Sequence, residues 1–199
     1  RKFLDQMCSE INIGQYLDVL GNLLPEVDKD WIMKVLEYKT ARYTVEKPIL
    51  IGAVLAGADL SSLSKLSEFG ISVGIAFQIQ DDILGMYGDE KKVGKPVDSD
   101  LKEGKKTLLV LRTTEVLKEN GRLEDLKRFK SILGNHDLRL EDYLWVQEIM
   151  KETGAFFYCQ ELARTLIREG KGKLEDVGID GEAREYLLGI ADYILTREL

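Results

Sequence analysis

The sequence predicts an all-α protein built as a helical bundle, on three observations. Apolar residues recur at intervals of three and four, no stretch alternates apolar with polar residues, and the 199 residues include only three prolines. Spacings of three and four place apolar side chains on one face of a helix, whereas strands have a period of two. The length and the 44% hydrophobic content fit one domain with its own core, so we expect a single domain over 1–199.

The helix boundaries follow from glycine, proline and acidic residues. The first predicted helix, 3–22, ends near Gly21 and Pro25, which are typical of helix ends. The second, 31–56, begins after the acidic stretch DKD and should kink at Pro48, because proline has no N–H and crowds the preceding turn. Further helices are predicted at 61–87, 105–119, 122–133, 139–152, 154–170 and 181–197, with a glycine-rich, charged loop at 88–104.

The third predicted helix belongs in the middle of the bundle. Its segment FGISVGIAFQIQDDILGM, residues 69–86, is apolar on nearly all sides. Gly70, Gly74 and Ala76 are small enough to let neighbouring helices approach closely.

Charge and cysteine content exclude several classes of protein. A net charge of -7 and a pI near 5.0 argue against a nucleic-acid partner, which normally requires a basic face. The sequence contains no window of 18 uninterrupted apolar residues, so no membrane span is predicted, and its start has no signal-peptide pattern. Cys8 and Cys159 form no disulfide framework or metal spacing. We therefore expect a cytoplasmic protein.

Asp81 and Asp82 stand at the end of the apolar segment. The negative end of the helix dipole disfavours an unpaired carboxylate there by roughly 0.3 to 1 kcal/mol, so a cation should be close. Two explanations stay open. One is an ion pair with Lys91, Lys92 or Lys95 in the following loop. The other is a divalent metal such as Mg²⁺, which takes carboxylate oxygens and completes its shell with water and phosphate.

The downstream lysines favour the metal and a diphosphate. Lys95, Lys105 and Lys106 follow glycines in the segments GKP and GKKT, which places mobile ammonium groups after the acidic pair. Such groups suit a diphosphate anion.

Two earlier clusters are also candidate site residues. Lys39 and Tyr43 lie one turn apart on the second helix, with Thr40 beside the lysine. Gln15 and Asp18 are three residues apart on the first helix and share a face. Taken alone, such a lysine usually extends to solvent, and such a pair is more often a structural hydrogen bond.

Together these motifs resemble the C-terminal portion of a trans-isoprenyl diphosphate synthase, of the polyprenyl synthetase family that includes farnesyl and geranylgeranyl diphosphate synthases. In chain order they are GQYLD at 14–18, KT at 39–40, GIAFQIQDD at 74–82, GD at 88–89, GKP at 94–96 and DLKEGKKT at 100–107. The resemblance covers at least residues 11–111. It implies the isoprenoid synthase fold, a helical bundle around a central cavity, and a homodimer.

The resemblance implies a Mg²⁺-dependent prenyltransferase. Such an enzyme condenses isopentenyl diphosphate with dimethylallyl, geranyl or farnesyl diphosphate. Departure of the allylic diphosphate leaves a carbocation, which the double bond of isopentenyl diphosphate attacks before a proton is lost. The product would be a longer trans-polyprenyl diphosphate, farnesyl or geranylgeranyl diphosphate.

The metal assignment follows from the second aspartate-rich motif of this family. The resemblance implies that Asp81 binds Mg²⁺ and that Asp82 assists through the metal's water molecules. The family pattern DDxxD reads DDILG here, so the third carboxylate is missing. Asp89 lies one helical turn further on and is the candidate that remains for a water-mediated contact.

The other roles implied by the resemblance concern the substrates. Lys39 and Lys95 would contact the allylic diphosphate, and Lys105 would close over it. Thr40 and Gln78 would direct oxygen dipoles toward the developing cation, which makes them catalytic together with Lys39.

Gln15 and Asp18 would support the metal and substrate region, with Tyr43 near the reacting carbons. The family's first aspartate-rich motif and its GGKRxRP stretch do not occur in the sequence, so we expect the C-terminal part of the fold without its N-terminal helices. Two alternatives stay open: a non-catalytic or partner-dependent subunit of a heteromeric synthase, and a class I terpene cyclase. An acidic pair followed by GKP and GKKT disfavours the cyclase.

Overall fold

Helices account for most of the backbone. A computed structural model describes residues 1–88 and 98–196 of the chain. The α-helices are α1 (Lys2–Leu23), α2 (Lys29–Val35), α3 (Lys47–Leu55), α4 (Leu60–Tyr87), α5 (Ser99–Lys102), α6 (Leu108–Glu119), α7 (Leu123–Ile132), α8 (Leu140–Glu152), α9 (Ala155–Lys173) and α10 (Gly181–Thr196). The described ranges contain no strand, which confirms the all-α class. In these ranges no helix combines the length and the apolar character needed to cross a bilayer.

The second predicted helix is present as one continuous helical stretch, but its hydrogen bonding changes along its length, which was not predicted. It consists of α2, a π-helix at Leu36–Glu46 that we call the π segment, and α3. The N–H of Lys47 donates to the carbonyl oxygen of Arg42, five residues earlier. Pro48 follows directly, in the first turn of α3, where its missing N–H removes no helical hydrogen bond of the new register. The proline thus marks the change from π to α hydrogen bonding.

Two further boundaries differ from the prediction. The expected loop at 88–104 contains the short helix α5. The helix predicted from residue 105 starts at Leu108, because Thr107 has an extended backbone and its side chain accepts a hydrogen bond from the N–H of Val110. A side-chain oxygen at this position satisfies an N–H that has no partner inside the helix, and so fixes the helix start.

The backbone divides into two compact units. Of the described residues, unit 1 contains Arg1–Leu20, Met33–Ile79 and those from Leu162 onward, and unit 2 contains Gly21–Ile32 and Gln80–Glu161. Helices α1, α2, α4 and α9 contribute residues to both units. The single domain expected over 1–199 stays a prediction.

Unit 1 is organised by close contact between α4 and the π segment. A Cβ atom added at Gly74 would lie 2.5 Å from Cα of Ala41, and one added at Gly70 would lie 2.7 Å from Cα of Glu46. Two carbon atoms with no covalent bond between them do not approach so closely, so only glycine permits this packing. The predicted role of these two glycines is confirmed. Phe69, on the same helix, is 1% exposed.

Unit 2 holds the C-terminal end of α4. The hydroxyl of Tyr143 donates to the carbonyl oxygen of Met86 at 2.7 Å, and the hydroxyl of Tyr87 donates to that of Gln147 at 2.9 Å. These bonds satisfy one of the carbonyl groups that a helix end leaves unpaired and tie α4 to α8. The fully buried side chains of this unit include Leu109, Leu117, Phe129, Val146 and Met150.

The two cysteines differ in accessibility, and this gives a first prediction. Cys8 is exposed and Cys159 is 1% exposed; burial raises the pKa of the Cys159 thiol to about 12. Because the thiolate is the nucleophile, iodoacetamide at mildly alkaline pH should alkylate Cys8 and spare Cys159 in the folded protein. Mass spectrometry of the peptides measures both sites, with urea-unfolded protein as the control that modifies both. Equal modification in the folded protein would contradict the buried position of Cys159.

Candidate functional site

The KT motif lies in the π segment. Lys39, Thr40 and Tyr43 all belong to this element, and π-helices are rare and often occur at functional sites. A Cβ atom added at Gly14 of α1 would lie 2.3 Å from the backbone nitrogen of Lys39. The first residue of the GQYLD motif therefore lets α1 touch the π segment at the motif lysine.

Lys39 is paired with Asp18. Its ammonium group donates to Oδ2 of the aspartate, with the lysine side chain 35% exposed and the aspartate side chain 18% exposed. The structure thus brings together two predicted site residues that are 21 positions apart. Gln15, on the same helix as Asp18, is exposed, and Tyr43 is 44% exposed.

Thr40 is paired with Gln78 of α4. The threonine is 8% exposed, and its hydroxyl donates to Oε1 of the glutamine at 2.7 Å. A hydroxyl has one proton and two lone pairs, so this bond fixes the direction of the lone pairs of Thr40 Oγ1. Two residues expected to direct oxygen dipoles therefore orient each other.

A buried ion-pair network, which no sequence pattern indicated, holds the C-terminal end of the π segment. Glu46 and Lys47 are each 3% exposed, and the ammonium group lies 2.5 Å from Oε2 of Glu46 and 2.7 Å from Oε2 of Glu10. The hydroxyl of Ser67 donates to Oε1 of Glu46 at 2.5 Å. This network joins α1, the π segment and α4. Removing one partner of such a buried pair typically costs about 3 to 5 kcal/mol, because the other charge is left uncompensated.

The acidic pair at the end of α4 lies in unit 2. Asp81 is half-buried, whereas Asp82 is 4% exposed. Nζ of Lys105 lies 2.8 Å from Oδ1 of Asp82 and 3.6 Å from Oδ2 of Asp100. The predicted nearby cation is present, and it is the first lysine of GKKT. Asp100 is an additional neighbour that sequence spacing did not reveal.

Several candidates lie outside the described residues. They are Asp89, Lys91, Lys92 and Lys95, together with the GKP motif. Their predicted roles, including diphosphate binding by Lys95, stay predictions.

The donor chemistry at the acidic pair fits Mg²⁺. This ion is commonly held by one or two carboxylates, with water and substrate phosphate as the remaining ligands. Asp81 and Asp82 supply two adjacent carboxylates, one of them accessible. Over 1–88 and 98–196 no group of three or more His, Cys, Asp or Glu side chains is arranged to hold a metal, so the fit rests on this pair.

The predicted residues thus assemble in two groups, one in each unit. The group in unit 1 consists of the pairs Lys39–Asp18 and Thr40–Gln78. The group in unit 2 consists of Asp81, Asp82 and Lys105. Gly14 carries one local signal of close helix packing, since a glycine inside a helix costs stability relative to alanine.

Comparisons with known proteins agree on one family. The sequence model of the family described as Polyprenyl synthetase matches residues 1–157. A geranylgeranyl diphosphate synthase of Sulfolobus acidocaldarius is 41% identical over 191 residues, covering 94% of this chain and 55% of that protein. A short chain isoprenyl diphosphate synthase of Methanothermobacter thermautotrophicus is 36% identical over 191 residues, covering 96% of this chain and 56% of its own length.

Solved structures give the same result. The crystal structure of geranylgeranyl pyrophosphate synthase from Corynebacterium glutamicum, complexed with isoprenyl diphosphate and magnesium, superposes with a TM-score of 0.94. Its sequence is 30% identical, and the match covers 100% of this chain and 55% of that one. The chain therefore spans about half the length of the relatives it matches.

Proposed function

Because the chain belongs to the polyprenyl synthetase family, we propose that it is part of a Mg²⁺-dependent prenyltransferase that condenses isopentenyl diphosphate with an allylic diphosphate. The observation that carries this proposal is the pairing of motif residues remote in sequence. Lys39 bonds to Asp18, and Thr40 bonds to Gln78 across 38 positions. The product proposed is farnesyl or geranylgeranyl diphosphate, and similar proteins are named for geranylgeranyl and geranylfarnesyl diphosphate.

The lysines would stabilise the departing diphosphate. Lys39 and Lys105 are each held by a carboxylate, which orients the ammonium group before substrate arrives. For Lys39, such a fixed cation needs no reorganisation as negative charge develops on the leaving group, and this is a large source of catalysis in a closed site. We propose the same role for Lys95.

Asp81 would be the main ligand for Mg²⁺, with Asp82 assisting through water. The bound ion would add positive charge beside the departing diphosphate. Asp82 is buried and needs a cation whatever its source, and Lys105 fills that need in this structure. Diphosphate would draw Lys105 toward itself, so we expect Lys105 to exchange partners when substrate binds.

The neutral polar residues would act on the carbocation. Thr40 and Gln78 present oxygen atoms whose negative dipole ends would stabilise positive charge on the allylic carbon. Tyr43 would lie near the reacting carbons, while Gln15 and Asp18 would support the region. A cytoplasmic homodimer belongs to the same proposal.

Product analysis tests this function. Full-length protein with Mg²⁺, isopentenyl diphosphate and each allylic diphosphate in turn should form a longer prenyl diphosphate, detected by liquid chromatography and mass spectrometry, with EDTA as the control. A bisphosphonate should raise the melting temperature only when Mg²⁺ is present. A melting shift without product would indicate a non-catalytic or partner-dependent subunit, and a cyclic hydrocarbon would indicate a terpene cyclase. The absence of both a melting shift and a product would refute the proposal.

A further inference from the structure

Lys106, the second lysine of GKKT, has no part in the proposed reaction. The ammonium group of Lys105 reaches Asp82, whereas that of Lys106 donates to the carbonyl oxygen of Leu24. Residues 105–107 are not helical, so adjacent side chains can point in different directions. The motif therefore supplies one lysine to the acidic pair and a second one elsewhere in unit 2.

That second location is a cavity of about 600 Å³. This volume falls within the range of roughly 300 to 1,000 Å³ that is usual for small-molecule sites. One wall comes from the connection between α1 and α2, a second from residues 103–106 between α5 and α6, and the others from α6, α7 and the residues that follow α7. The residues that matter for binding are the apolar Val27, Val110 and Leu133 and the basic Lys106, Lys118 and Lys130.

Two of these lysines already share an anion. Oε1 of Glu26 lies 2.7 Å from Nζ of Lys118 and 3.0 Å from Nζ of Lys130. Hydrogen bonds from Lys118 and then Lys130 lower the pKa of Glu26 to about 2, so it is ionised at neutral pH. Two ammonium groups thus converge on one carboxylate oxygen, which occupies the position that an external anion would take.

Within the part of the chain that the structure describes, the third lysine forms no hydrogen bond to a carboxylate. Lys106 bonds to a neutral carbonyl oxygen, and burial lowers the pKa of its ammonium group more than nearby Glu26 raises it. Asp28, Glu103 and Glu115 also line the cavity: Glu115 pairs with Arg112 at 3.2 Å, Asp28 accepts the backbone N–H of Trp31 at 2.8 Å, and Glu103 is exposed to solvent. An anion at Lys106 would therefore compensate a partly desolvated positive charge.

We propose that this cavity binds an amphipathic phosphate ester. Its phosphate group would lie among Lys106, Lys118 and Lys130, since charge-assisted hydrogen bonds to phosphate are strong. A short hydrocarbon chain would lie along Val27, Val110 and Leu133, where removal of apolar surface from water is favourable. The site is separate from the acidic pair and does not rest on the proposed prenyltransferase activity.

Calorimetric titration of the full-length protein with octyl phosphate tests the proposal. Inorganic phosphate and octanol each carry one half of the recognised chemistry, and both should bind at least about tenfold more weakly. Equal affinity for octyl phosphate and inorganic phosphate would contradict the proposal that Val27, Val110 and Leu133 bind a hydrocarbon chain. Failure of octyl phosphate to bind would overturn the proposal altogether.

Variants locate the probe. The double variant Lys118→Ala with Lys130→Ala should lose about tenfold or more in affinity for octyl phosphate. The control is Lys127→Ala, which should bind normally, because Lys127 is exposed on α7 like Lys130 but does not line the cavity. Glu26→Gln should bind more tightly, because two ammonium groups lose their internal carboxylate. Binding that survives the double variant but disappears in Lys39→Ala would place the probe at the proposed reaction site and overturn the inference.

A membrane lipid and a soluble ester share this chemistry. Sedimentation with phosphatidylcholine vesicles that contain phosphatidic acid distinguishes them. Retention on these vesicles that the double variant loses would assign the cavity to a lipid headgroup with part of its chain. Octyl phosphate binding without retention would assign it to a soluble ester.

Discussion

Replacing Asp81 by alanine is expected to lower the rate of prenyl transfer by about a hundredfold to a thousandfold, the usual effect of removing one charge-stabilising group from an active site. Asp81 is half-buried at the C-terminal end of α4, so the substitution removes a carboxylate with little loss of packing. The helical content should therefore be preserved. Turnover of the full-length protein and its far-ultraviolet circular dichroism measure the two quantities.

The matched control is Glu68→Ala on the same helix. Glu68 forms an exposed ion pair with Lys173 at 2.7 Å, and such surface pairs contribute at most about 1 kcal/mol. Its variant should retain full activity. The Mg²⁺ concentration needed for the bisphosphonate melting shift should rise in the Asp81 variant alone. Normal turnover at normal Mg²⁺ in Asp81→Ala would exclude this residue as a ligand.

Replacing Gly74 by alanine is expected to lower the free energy of unfolding by about 2 to 3 kcal/mol, despite the better helix propensity of alanine. The new methyl carbon would sit 2.5 Å from Cα of Ala41, and a backbone atom cannot move aside as a side chain can. Either α4 or the π segment must shift. Because Lys39 and Thr40 belong to that segment, loss of stability should be accompanied by loss of diphosphate binding. Urea unfolding followed by circular dichroism measures the first effect.

A second glycine provides the control. Gly189 lies in α10, and a Cβ atom added there would meet nothing within 4 Å. Gly189→Ala should therefore stabilise the protein by up to about 1 kcal/mol, the difference in helix propensity between the two residues. If Gly74→Ala behaved in the same way, the close approach of α4 and the π segment would be incorrect.

The bundle could be predicted because its determinants are local. Spacing of apolar residues sets the helical faces, and small residues such as Gly70 and Gly74 in an apolar helix indicate that neighbouring helices pack closely there. The motif residues could be proposed as a group because their order and spacing along the chain resemble the motifs of one family. Their pairing was harder to foresee, since Lys105 and Asp82 are 23 positions apart and nothing local selects Lys105 over another lysine.

The π segment could not be predicted from periodicity. Its apolar residues fit a helix in general, and their spacing does not distinguish hydrogen bonds to the fourth preceding residue from bonds to the fifth. Tertiary contacts decide between them here: Gly14 on one side, Gly70 and Gly74 on the other, and the buried pair of Glu46 with Lys47 at the end. The divergence of Lys105 and Lys106 is equally a tertiary outcome, although both residues stand in one motif.

The glycine contacts also set an alignment along the helix axes. Gly70 and Gly74 are four residues apart in α4, yet Glu46 and Ala41, which they meet, are five apart in the π segment. The two helices have different numbers of residues per turn, so their close contacts match only over this short interval. Sliding one helix along the other by one turn would break both contacts, so the two glycines fix the position of the KT motif along α4.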